Sequence, residues 1–301
     1  MRRLRPLATL LAGIALASAT VACSQRESGR TLPDAAPDEA PSSTLSPSPD
    51  APTPTTEEPV CWEGPVRLRY QLTAGEERTS EADRRLIRAA AQQARSYFDL
   101  QGDSCERRTI NVVAEFGTEA GGVRSDTSLM LNPRSPLWQA SSPEDRYVIV
   151  LHEYYHLLQM YSISLIGPGP TPDDIPPAWF MEGSAEVAAA WVASQSGITS
   201  LDEQHGPRLY SARHGDFGPL EDYSSQAAVV QLVSGGMPYP YGLFFLAVDY
   251  LVGPEGLERL ERFWTALGRG VGVNEAFRMV FGETLDDFYI RFAQYRASGF
   301  R

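Results

Sequence analysis

The chain has 301 residues, of which 43 % are hydrophobic and 21 % charged, and a formal net charge of −12. This is the composition of a globular protein of one or two domains. Its acidic balance gives a nucleic-acid-binding role no electrostatic support and suits a soluble exported protein.

The N-terminus stands apart from the fold. Arg2, Arg3 and Arg5 precede a mostly apolar run from Leu7 to Val21. That run is too short and wrongly flanked for a transmembrane helix. It ends in small residues and then Val21-Ala22-Cys23, which resembles a bacterial lipoprotein signal, with Thr20 where such signals usually carry leucine. The resemblance implies a signal peptide over residues 1–22, a lipid on Cys23 and an exported, extracytoplasmic protein anchored at the cell membrane. An ordinary secretory signal cleaved nearby is the alternative. Residues 23–59 are rich in Pro, Ser and Thr. They read as a tether, extended by proline and too poor in apolar surface to fold. Cys61 and Cys105 remain, and an even remainder in an exported chain suggests a disulfide. A bridge closing so long a loop would stabilise the fold by roughly 3–4 kcal/mol. Neither cysteine belongs to a Cys-x-x-Cys pair, which argues against metal ligation.

The folded part is expected over residues 60–301. Val66-Arg67-Leu68-Arg69-Tyr70 alternates apolar and basic residues, a strand pattern. Ser80 to Leu100 reads as a helix, opened by Ser80-Glu81-Ala82-Asp83 in the manner of a capping box. Ile110 to Phe116 is a second strand, Gly117 to Thr127 a glycine-rich loop, and Ser128 to Asn132 a short third strand. Pro143 at the first helical position, followed by Glu144 and Asp145, opens a helix running to about Tyr161. After a Gly/Pro/Asp-rich loop from Gly167 to Pro177, another helix runs to about Ser194. Leu201 to Pro219 reads as irregular. Helices follow at Tyr241–Leu251, around Leu257–Leu267, at Asn274–Phe281, and from Thr284 with Leu285, Phe288, Tyr289 and Phe292 turned inward. The order βαββαα predicts an α+β fold. It would have a small mixed sheet and metal-site helices over about 60–195, then a mostly helical part over about 196–301.

The chemistry concentrates in Val148 to Leu158, which contains His152-Glu153-Tyr154-Tyr155-His156 in an apolar run. On a helix the two histidines stack on one face and can close on one metal ion. Glu153 lies about 100° round the helix, beside the ion rather than on it, where a general base acting on a metal-activated water is needed. Two histidines do not complete a catalytic zinc site, which usually takes a third protein ligand.

The segment Trp179-Phe180-Met181-Glu182-Gly183-Ser184-Ala185-Glu186 resembles the glutamate-bearing helix of gluzincin metallopeptidases, the peptidase MA-like group. There a Trp-x-x-Glu-Gly-x-Ala signature follows His-Glu-x-x-His and supplies the third ligand. The resemblance implies one zinc ion held by His152, His156 and Glu182, with Glu153 as general base. Glu186, one turn on, is expected to orient a ligand histidine from outside, with the rival assignment that it is itself the ligand. Pro238-Tyr239-Pro240-Tyr241-Gly242 resembles the segment whose tyrosine donates to the oxyanion. It implies that role for Tyr239, with Tyr241 as its neighbour. The Gly-x-Met-Glu-Asn strand of gluzincin aminopeptidases has no counterpart between Gly122 and Asn132. The expected activity is therefore an exported zinc-dependent endopeptidase acting on peptides or proteins, membrane-bound through its lipid, with no nucleic acid partner. The alternatives are a binding or scaffold lipoprotein that keeps the fold, and a metal-dependent hydrolase of a non-peptide bond. His205 and His214 are not assigned.

Overall fold

The structure, a computed structural model, describes residues 67–71, 80–98, 109–113, 121–125, 128–165, 174–234 and 240–301. The signal segment 1–22, the tether 23–59, Cys23, Cys61, Cys105 and Tyr239 lie outside the described residues. Ten α-helices are present among those described: α1 (Glu81–Phe98), α2 (Pro136–Ala140), α3 (Pro143–Ser164), α4 (Ala178–Gln195), α5 (Leu201–His214), α6 (Gln226–Ser234), α7 (Tyr241–Val252), α8 (Leu257–Gly268), α9 (Val273–Phe281) and α10 (Leu285–Ala297). Among the described residues no helix is long and apolar enough to cross a membrane.

The expected α+β class is corrected by this content. Where side chains as well as backbone are described, 79 % of residues are helical and 1 % are in strands, so the protein is mostly helical. Three stretches account for much of the difference. Leu201 to His214, read as irregular, is a helix with its own capping box, and Pro136–Ala140 and Gln226–Ser234 add two more. Pro207 inside α5 is the residue that disguised it, since proline normally ends a helix. Among the described residues, strand backbone is confined to four short segments, β1 (Arg67–Gln71), β2 (Thr109–Val113), β3 (Gly121–Ser125) and β4 (Ser128–Leu131), paired in the order β1-β2-β4-β3. β3 falls within the stretch read as a loop. The pairs β1–β2 and β2–β4 are parallel and β3–β4 is antiparallel.

The central pair of helices is α3 and α4. Val148 to Gln159 is buried without a break, and so is Glu182 to Ala190, so neither helix has a solvent face over that length. α3 packs against α1, α4 and α8, and α4 packs against α3 and α7. A set of polar contacts fixes where α3 begins. Ser142 and Asp145 form a reciprocal capping box. Trp138 Nε1 donates to Asp83 Oδ1 of α1 at 3.0 Å. Arg146 reaches the same oxygen at 3.2 Å and the Trp138 carbonyl at 2.8 Å.

Beneath α4, an aromatic cluster ties in the C-terminal helices. Trp179 stacks on Phe288 at 5.5 Å and donates to the Tyr289 hydroxyl at 3.1 Å. Phe180 meets Phe263, Phe277 and Phe281. α4 carries small residues, including Gly183, Ala185, Ala188, Ala189 and Ala190, and these let α7 come close. A Cβ on Gly183 would stand 2.3 Å from the Phe244 carbonyl oxygen.

That contact gives a test of the α4–α7 crossing. Gly183→Ala removes a helix-weakening glycine, which alone would raise stability by up to about 1 kcal/mol. The clash is with rigid backbone, so a net loss of about 1–3 kcal/mol is expected, read as a fall in Tm. A rise in Tm would mean that the two helices do not touch there.

Candidate metal centre

α3 and α4 bring His152, His156 and Glu182 together, as spacing on the first helix and the glutamate of the second predict. All three are buried, as are Glu153 and Glu186. Glu182 Oε2 lies 3.5 Å from His152 Nε2 and 3.4 Å from His156 Nε2, and the two Nε2 atoms are 3.0 Å apart. A tetrahedral ion with bonds of about 2.0–2.1 Å, as zinc makes to nitrogen and oxygen, separates its ligand atoms by about 3.3–3.4 Å. The triangle formed by these three atoms is of that size, so the group can hold a metal ion.

The outer faces of the imidazoles are set by the protein. Gln159, one turn beyond His156, donates its amide to the Met181 carbonyl at 2.9 Å and to Ser184 Oγ at 2.8 Å. With both donor contacts on the nitrogen, its Oε1 is left facing His156 Nδ1 at 2.6 Å. That oxygen can only accept, so Nδ1 carries the proton and Nε2 presents a lone pair. His152 Nδ1 lies 3.3 Å from Glu186 Oε1, again a group that can only accept when ionised. Glu186 therefore lies outside the triangle, and the group of atoms close enough to share an ion is His152, His156 and Glu182.

Gln159, Ser184 and Arg208 were not anticipated. Gln159 and Ser184 carried a signal in their spacing, three residues after His156 and two after Glu182. Arg208 had none, because its segment read as irregular. It joins Glu186 through Nε at 2.9 Å and also through Nη2.

Electrostatics follow from two buried carboxylates beside two imidazoles. Burial alone would lower the His152 pKa, but Glu182 and Glu186 outweigh it and push the group up to about 10. Burial likewise works against charge on His156, whose pKa is nevertheless raised by Glu182. Glu182 and Glu186 are each held down to about 2 against the cost of burial, the first chiefly by His156 and the second chiefly by Arg208. In the metal-free protein His152 thus stabilises the fold fully below its ordinary value of 6.5, and this is lost as pH rises through about 10. The two glutamates contribute above their ordinary 4.5, and lose that contribution as pH falls through about 2.

Glu153 is on the wall of a cavity of about 100 Å³ that also takes in His152, Glu186, Leu137, Val148 and Arg208. That is room for several waters. Its charge acts on both histidines. Tyr241 is buried with its ring 6.3 Å from that of His152; Tyr239 lies outside the described residues. His205 faces Asp249 at 3.7 Å and His214 stacks on Tyr210, both away from the triangle. A larger hollow of about 800 Å³, between Tyr97, Tyr161 and Trp264, contains none of the cluster. No family model, no curated protein and no solved structure matches the chain.

Because the imidazoles hold protons that an ion must displace, metal uptake is expected to release protons and to strengthen as pH rises toward about 10. Calorimetric titration with a divalent cation in two buffers of different ionisation heat measures this. Affinity independent of pH, with no proton release, would place the ion elsewhere. His156→Ala and Glu182→Ala should each weaken binding by more than the roughly 10–100-fold that an outer partner costs.

Proposed function

We propose that this protein is a zinc-dependent endopeptidase of the gluzincin kind, exported and held at the membrane through Cys23. The observation that carries the reading is the convergence of His152, His156 and Glu182 with Glu153 beside them on a cavity wall. Two imidazoles and a carboxylate form a donor set suited to catalytic zinc, which takes three protein ligands and keeps a fourth position open. A bound zinc supplies Lewis-acid charge, acidifying water and polarising a scissile carbonyl.

The remaining work belongs to side chains of the chain itself. Glu153 stands next to His152 on α3, buried, and reaches the cavity from the ligand side. A carboxylate there takes a proton from the attacking water and passes it to the departing amine. A purely structural site has no use for such a base. Gln159 and Glu186 hold the imidazoles with their Nε2 lone pairs turned inward. On the resemblance, Tyr239 donates its hydroxyl to the developing oxyanion, with Tyr241 its neighbour.

The discriminating variant is Glu153→Gln, which keeps shape and removes the base. It should retain about one zinc per chain and lower turnover of a peptide-library substrate by roughly 10²–10⁴-fold. If wild type and Glu153→Gln behave alike in every hydrolytic assay, a binding or scaffold role replaces the enzyme.

A further inference from the structure

We propose that Arg208 is a positioning residue of the metal centre. By forking onto Glu186 it holds that carboxylate against Nδ1 of His152, and so assigns the ion to Glu182 rather than to Glu186. The proposal rests on the metal reading of the triangle and deepens it.

α4 buries two glutamates one turn apart on the same face. Helical spacing alone offers either one to the ion. What separates them is the cation that each meets. Glu182 Oε2 meets the two Nε2 atoms, and among the described residues no other donor. Glu186 Oε2 is gripped by Nε and Nη2 of Arg208, which leaves Oε1 toward His152 Nδ1 at 3.3 Å.

Arg208 is itself fixed, so the glutamate must conform to it. Its Nη1 donates to the Gln204 carbonyl at 2.8 Å and to Gln204 Oε1 at 2.7 Å. Its guanidinium carbon lies 4.7 Å from the Phe245 ring centroid. α5 is seated on α7 at this point, for a Cβ on Gly242 would stand 2.8 Å from the Arg208 carbonyl oxygen. Turning Glu186 toward the ion would strand a buried guanidinium. Kept on Nδ1, the same carboxylate fixes the ring and raises its basicity as a ligand.

The test uses the full-length chain as Arg208→Ala, Glu186→Gln and the double variant. Zinc affinity is read by competition with a chromophoric chelator. Each single change should weaken binding about 10–100-fold. The double variant should be no weaker than Glu186→Gln, because both changes act through one contact. Cobalt(II)-loaded wild type should show two hyperfine-shifted, solvent-exchangeable Nδ1–H proton resonances, from His152 and His156. In Arg208→Ala the His152 signal should vanish by exchange while the His156 signal, guarded by Gln159, persists. Losses that multiply in the double variant, or Arg208→Ala with wild-type affinity and both signals, would overturn the proposal. Should Arg208→Ala not fold, comparing Glu186→Gln with the double variant decides the matter in the same way. Neither readout needs turnover, so loss of the peptidase reading would leave both interpretable.

Discussion

Two imidazole nitrogens 3.0 Å apart, with a carboxylate oxygen closing the triangle, crowd three lone-pair-bearing atoms into a buried place, and positive charge at their centre relieves the repulsion. Each atom offers a lone pair, and lone pairs that face one another away from water repel. Protons can supply the charge, and in the metal-free protein they do so on the histidines. A divalent ion supplies it with better geometry, because three donors at tetrahedral spacing already surround a point. The surrounding fold holds the three side chains at these distances.

That arrangement is a matter of close helix packing and of directed outer partners. α3 and α4 are buried along the lengths that carry the ligands, and side chains there have little freedom to turn away. Gly183, adjacent to Glu182, lets α7 rest directly on α4. Gln159 comes from α3 itself, Ser184 from α4 and Arg208 from α5. Three helices therefore contribute to orienting the two imidazoles. α5 also lines the cavity that Glu153 and His152 share, so one helix both holds Glu186 beside His152 and bounds that cavity.

Much of the site was legible in the chain because helical spacing is a strong local rule. His152 and His156 at i and i+4, Glu153 beside them, and Glu182 on the following helix are placed as that rule requires. Helical spacing alone does not separate Glu182 from Glu186; the preference for Glu182 rests on the resemblance, and the contact of Arg208 with Glu186, 22 residues apart and made by tertiary packing, was not legible. The fold class was misread for a related reason. Pro207 masked α5, α2 and α6 were not read as helices, and the four short strands are outweighed by ten helices among the described residues. Boundaries set by local chemistry fared better. The helix starts at Pro143 and at Thr284, each with its capping box, and the stop at Gly282 with φ of 79° are where the sequence puts them.

The most direct measurement is anomalous diffraction at the zinc absorption edge from crystals of the protein grown with zinc. One peak is predicted, about 2.0–2.1 Å from Nε2 of His152, Nε2 of His156 and a carboxylate oxygen of Glu182, with Glu186 still on the far side of His152. Zinc-grown crystals with no peak between those three atoms, or with the ion on Glu186, would contradict it.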